Sequence, residues 1–226
     1  MIAWQIVRHR VALGGRITDE ETGKPLEGVD VTIIDMPQEF KVQVNHASLQ
    51  YANSWERMRE RLDRTVTKKN GLFYFVDLPS GNYRLNVSVP GPGSSYSTGQ
   101  KTASVSRDGD GNSTVVRVDF ALRPTTVKGK VTGAGRENGV LMAEVRVKGS
   151  GERVFSNAQG QYALTGIEPG TRTVLVIARG FQPASQVVSV GRGALQELNF
   201  TLDTHTGSAN VVASGASAKR GASKPH

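Results

Sequence analysis

The sequence predicts an all-β protein built as two tandem antiparallel β-sandwiches, the first carrying an inserted helix. Three observations carry this. The phrase "NGLFYFVDLPSGNYRL" at residues 70–85 returns as "QGQYALTGIEPGTRTV" at residues 159–174. In each, a Gly is followed two residues later by an aromatic, then by alternating apolar positions and a Pro close to a second Gly. Long stretches alternate apolar and polar residues with period two, the spacing of strands that bury one face. The composition agrees: 26 glycines and only 6% aromatics in 226 residues suit short strands joined by tight turns.

Aligning the chain with itself fixes the elements in order. Gly15, Val31 and Ile33 match Gly129, Val145 and Val147 at an offset of 114. Gly71, Leu78 and Gly81 match Gly160, Ile167 and Gly170 at 89, and Phe120 and Leu122 match Phe200 and Leu202 at 80. The fall from 114 to 89 means 25 extra residues in the first copy, and the fall to 80 means nine more before its last strand. Inward sets in the first copy are Val29, Val31 and Ile33; then Tyr83, Leu85, Val87 and Val89; then Val116, Val118, Phe120 and Leu122. In the second they are Val127 and Val131; Ala143, Val145 and Val147; Tyr162 and Leu164; Val174 and Val176; and Leu198, Phe200 and Leu202. These give an arm at 1–10, a first sandwich at 11–123 with a helical insertion at about 37–64, a second sandwich at 124–203 and a Gly/Ala/Ser-rich tail at 204–226. The tail is too poor in apolar residues to offset its ordering entropy, which predicts a flexible end.

"GGRITDEETGKPLEGVDVTI" followed by "NGLFYFVDLPSGNYRLNVSV" resembles the carboxypeptidase regulatory-like family. The resemblance rests on the turn at Thr22–Val29 and the stretch Gly71–Tyr83. The second copy departs from it: "GAGRENGVLMAEV" lacks the turn proline, and Arg172 stands where the first copy has Tyr83. The resemblance implies an immunoglobulin/transthyretin-like sandwich that accompanies zinc peptidases without supplying their catalysis and that serves elsewhere in envelope, adhesion and assembly roles.

The residues offer little chemistry. With no cysteine, disulfides, thiolate metal sites and cysteine nucleophiles are excluded. His9, His46, His205 and His226 are scattered, none opens an H-x-x-E pair, and no G-x-S-x-G elbow occurs. Asp108, Asp110 and Asn112 alternate as calcium ligands do, but Ser113 stands where such a loop needs Gly, so the segment reads as a hairpin turn. A Lys–Asn amide cross-link joining Lys128 or Lys130 to Asn199 is disfavoured because alternation turns both lysines outward. The expectation is a non-enzymatic protein with no cofactor.

The net charge of +8 is spread along the chain without a basic run, so nucleic acid is not an expected partner. Arg8, His9 and Arg10 interrupt the place where a secretory signal needs its apolar stretch, and no run of 18 apolar residues exists to span a membrane. Synthesis in the cytoplasm is expected, followed by incorporation into a particle that acts outside the cell.

Recognition is expected in the added segments. Within the insertion, Tyr51, Trp55, Met58 and Leu62 follow helical spacing over Asn45–Arg64 and form one narrow stripe. That stripe either caps its own sandwich or docks on a partner. The arm, apolar through Ile2, Trp4 and Ile6, is suited to extend a sheet edge at home or on a neighbour. Leu175 and Ile177 fall on the outward side of their strand and call for a cover. Together these predict a structural or interaction protein that attaches, through a protein partner or as a homo-oligomer, to a larger assembly such as a phage-tail-like or contractile-injection particle. The alternative is a carbohydrate- or surface-binding module with Trp55, Tyr51, Phe40 and Tyr96 as its aromatic platforms.

Overall fold

The computed structural model describes residues 9–91, 94–107, 114–135 and 138–204. The first half contributes β1 (Val11–Asp19), β2 (Asp30–Asp35), the helix α1 (Gln38–Tyr51), β3 (Arg64–Val66), β4 (Leu72–Val76), β5 (Gly81–Ser88), β6 (Gly99–Val105), β7 (Val116–Arg117) and β8 (Phe120–Leu122). The second contributes β9 (Thr126–Gly133), β10 (Glu144–Val147), β11 (Arg153–Phe155), β12 (Gln161–Thr165), β13 (Gly170–Ile177), β14 (Ala184–Val190), β15 (Leu195–Glu197) and β16 (Phe200–Leu202). Both halves have the same topology. One sheet runs β4-β1-β7 with β8 also on β1, and the other β3-β2-β5-β6; the second half repeats this as β12-β9-β15 with β16 on β9, and β11-β10-β13-β14.

The expectation of antiparallel sheets holds for the hairpins and needs correcting at the closing strand. β7 and β8 lie parallel to β1, and β15 and β16 parallel to β9. The closing strand arrives from β6 or β14, which belong to the opposite sheet. It therefore crosses over instead of returning by a hairpin, as parallel pairing requires.

Each half has its own apolar cluster. Leu13, Ile17, Val31, Leu85 and Leu122 are among the residues fully buried in the first, and Val127, Val131, Val145, Val176 and Leu202 among those in the second. Two buried hydroxyls, unremarkable in sequence, stitch each core to its turn. Thr67 Oγ1 accepts the Val29 N–H at 2.9 Å and donates to the Leu26 carbonyl at 2.7 Å. Ser156 Oγ does the same for Ala143 N–H at 2.9 Å and the Val140 carbonyl at 2.6 Å. Thr67→Val or Ser156→Ala leaves two backbone groups without a partner away from water, an expected loss of about 2 kcal/mol in urea unfolding.

The departure at Arg172 has a structural answer. Tyr83, fully buried, donates its hydroxyl to the Pro79 carbonyl four residues earlier, and burial, with the Glu39 charge adding, pushes its pKa up to about 12. Arg172 closes the matching corner with Nε donating to the Glu168 carbonyl at 3.0 Å and Nη2 to the Pro169 carbonyl at 3.1 Å. A guanidinium thus does the corner-tying of the phenol at the half-exposed end of the second sandwich.

Asp19 organises the Thr22–Val29 turn. Its Oδ1 accepts the N–H groups of Glu21 and Thr22, and its Oδ2 accepts the Tyr96 hydroxyl at 2.9 Å. Burial alone would raise the Asp19 pKa, but the bonds from Thr22, Tyr96 and Glu21 outweigh it and hold the carboxyl below its ordinary value. A depressed folded pKa means the stabilisation is complete above the unfolded value of about 3.9 and is lost as pH falls through the folded one. Urea midpoints measured from pH 6 to pH 2 are expected to fall less steeply for Asp19→Asn than for the parent chain.

The insertion corrects the expected helix. Instead of Asn45–Arg64, the helix occupies Gln38–Tyr51, followed by a 3₁₀ segment at Ala52–Arg57 and extended backbone at Met58. Its buried residues are Phe40 and Val44, not the expected stripe. Phe40 meets Tyr83 edge-on at 5.8 Å between centroids, so docking on the sandwich chooses the helical face. Ala52, with φ of 44°, breaks the helix and lets the chain turn towards β3.

The segment joining the halves is built in. Thr125 is fully buried; its N–H donates to the Ser95 carbonyl, its carbonyl accepts the Ile167 N–H, and its hydroxyl accepts the Gly193 N–H at 2.8 Å. One residue therefore bonds to both halves.

Candidate interaction surface

The side chains with no evident structural duty gather beside β4, an edge strand whose only strand partner among the described residues is β1. A groove of about 320 Å³ runs between the insertion and the adjoining β3 and β4. Tyr51, Trp55, Met58 and Leu62 all line it, joined from the strand side by Tyr74 and Val76. The four residues of the expected stripe are thus brought together, though by a helix end, a 3₁₀ turn and a loop.

Their exposures divide them. Trp55 is 8% exposed and belongs to the core, whereas Tyr51 is 48% and Leu62 44% exposed, and Met58 is partly buried. Trp55 stacks on Tyr51 with centroids 6.3 Å apart, and the Arg61 guanidinium carbon lies 5.0 Å above the indole. Arg61 also donates to the Trp55 carbonyl and, through Nε, to Asp63 Oδ1 at 2.7 Å. The rim charges Arg64 and Lys68 are engaged with Asp30 and Glu60.

The groove continues over the edge onto the outer face of the β4-β1-β7 sheet. Val11, Leu72, Tyr74, Val76 and Val115 are between 37% and 53% exposed there, around the bare backbone of Gly14 and Gly15. The duplication supplies a comparison. On β12, the positions matching Leu72, Tyr74 and Val76 are Gln161, Ala163 and Thr165, and the outer face carries Lys128, Lys130, Glu197 and Asn199. Lys128 and Lys130 are exposed, and Asn199 Oδ1 accepts the Lys130 N–H at 2.8 Å. The same backbone surface is apolar in the first copy and polar in the second.

Of the other residues singled out from sequence, Leu175 and Ile177 are half-buried on β13 of the second sandwich, away from the groove. Trp4, Asp108, Asp110 and Asn112 lie outside the described residues. Among the aromatics considered as sugar platforms, Phe40 and Trp55 are buried, Tyr96 is half-buried against Asp19, and Tyr51 is exposed. Sequence reasoning missed Leu72, Tyr74 and Val76. The signal was present: "LFYFV" is apolar at every position, where a strand with one solvated face alternates. Among the described residues, no group of three or more His, Asp or Glu converges to hold a metal, and no helix is long and apolar enough to cross a membrane.

Fold and surface together define a tandem β-sandwich protein whose first unit carries an apolar face and groove. The chain belongs to the carboxypeptidase regulatory-like domain family, whose model matches residues 12–123 and 126–203. No curated protein matches it. Among solved structures, it is similar to the shaft pilin SpaA from Lactobacillus rhamnosus GG, with 14% identity over 87% of this chain and 98% of that one, at a TM-score of 0.39. The Streptococcal ancillary pilin has 14% identity over 86% of this chain, at a TM-score of 0.35. A chain of a type II cohesin–X-dockerin complex from Acetivibrio cellulolyticus has 19% identity over 34% of this chain, at a TM-score of 0.32. This chain spans 62% of the length of the ancillary pilin and 56% of the cohesin-complex chain.

Proposed function

We propose that the chain is a non-enzymatic structural and interaction module, in which paired sandwiches present the apolar face of the first unit to a protein partner within a larger assembly. The observation that carries this reading is the contrast between copies. Duplicated strands with equal structural needs carry Leu72, Tyr74 and Val76 in one and Gln161, Ala163 and Thr165 in the other. Solvent-facing apolar groups grouped in this way suit a surface that becomes covered. The bonds of Thr125 to both halves favour a spacer that holds this face in a set direction.

A photo-reactive amino acid placed at Leu72, in cells that make the chain naturally, is expected to give a defined protein adduct. The same group at the matching Gln161 is expected to give none. Equal labelling at both positions, or none at Leu72, would remove the reading. Within it, the assembly is taken to be a particle of phage-tail-like or contractile-injection type, assembled in the cytoplasm and working outside the cell. The chain should then sediment with purified particles, and its absence from them would eliminate this part alone.

A further inference from the structure

The groove beside β4 has a candidate occupant close at hand. β4 offers one unpaired edge, and a strand edge flanked by apolar side chains is a template for another extended segment. The chain reaches β1 by way of His9 and Arg10, and both are tied to the far end of β4. His9 Nδ1 pairs with the Asp77 carboxylate, the Arg10 N–H donates to Asp77 Oδ1 at 3.0 Å, and the Asp77 N–H donates to the Arg10 carbonyl at 2.9 Å. Val11 then pairs with Val76. Residues 9 and 10 therefore sit at the end of β4 where Val76 enters the groove, and whatever precedes them starts from its mouth.

What precedes them is "MIAWQIVR", eight residues with Ile2, Trp4 and Ile6 at period two. Fully extended, they reach about 26 Å, against about 17 Å for a five-residue strand, so they can run the length of β4 with slack for the turn. A tether this short gives an effective concentration in the millimolar range, which favours the chain's own segment over one from a second copy in dilute solution. The second sandwich is the control: the residues before β9 are taken up in the junction at Thr125, and its β12 lacks the apolar row.

We propose that residues 1–8 add to the free edge of β4 in the same chain and seat Trp4 among Tyr51, Met58 and Tyr74. The segment is then the resident cover of the groove, and the outer face at Leu72 and Val115 stays open to other partners. Since this concerns the free chain, it stands or falls separately from attachment to an assembly.

The chain has no cysteine, so a pair introduced into it reports only on itself. Full-length Ile6→Cys/Glu60→Cys, treated with a short bis-maleimide, is expected to give a monomer linked between residues 6 and 60. Ile6→Cys/Gln161→Cys should give at least tenfold less internal linkage. Adding Trp4→Ala to the first pair should reduce the link several-fold. Linkage no higher than the Gln161 control, or a product that joins two chains, overturns the proposal. Hydrogen exchange, free of cysteine substitution, gives a second reading: deleting residues 1–8 should speed exchange of the Tyr74 and Val76 amides at least tenfold, and unchanged rates would also overturn it.

Discussion

Gly15→Ala and Gly129→Ala are each expected to cost about 3 kcal/mol of stability, near the upper end of what overpacking causes. At both positions the closing strand steps across the first one. A Cβ on Gly15 would lie 2.0 Å from the Val118 carbonyl oxygen, and one on Gly129 would lie 1.9 Å from that of Leu198. The obstacle is backbone, so no side-chain rotation relieves it. Moving the strand away would break Val118 N–H to Gly14 O at 2.9 Å and Arg16 N–H to Asp119 Oδ1 at 2.8 Å. The second copy would lose Leu198 N–H to Lys128 O and Lys130 N–H to Asn199 Oδ1, both at 2.8 Å. For domains of this size, such a loss lowers the melting temperature by about 12–24 °C, which calorimetry resolves easily. Gly23→Ala is the control, since Gly23 has φ of 68° but open space around it, and it should cost only about 1 kcal/mol. If Gly129→Ala cost no more than that control, close approach would not be what this glycine provides.

Trp55→Ala should destabilise the first sandwich by about 3–5 kcal/mol, the range for removing a large aromatic from a core. The indole packs with the first cluster, lies under Arg61 and stacks on Tyr51, so its loss empties the floor of the groove. Arg61 adds to the cost, because its side chain is only 11% exposed and would keep Asp63 while losing the ring beneath it. Urea unfolding followed by circular dichroism gives the number, and Trp55→Phe should recover part of it. A neutral Trp55→Ala would make the 3₁₀ segment an appendage instead of part of the fold.

The sequence by itself determined the duplication, the strand alternation and the turn chemistry. Those depend on residue spacing, and period two assigns faces whatever the partner strand. Tyr83, Val145 and Phe200 face inward as their alternation requires. The helix register was not legible: the 51, 55, 58, 62 spacing fits a helical face as well as 40, 44, 47 does, and only the Tyr83 ring beneath Phe40 selects between them. The gathering of the four groove residues was likewise hidden, since Tyr74 and Val76 reach Tyr51 and Leu62 through strand pairing and not through chain neighbourhood. Gly15 and Gly129 were visible as a matched pair, but not as the crossing points of the closing strands. A carbonyl that approaches from more than 60 residues away leaves no trace in local spacing, which is why tertiary structure alone decided what those glycines are for.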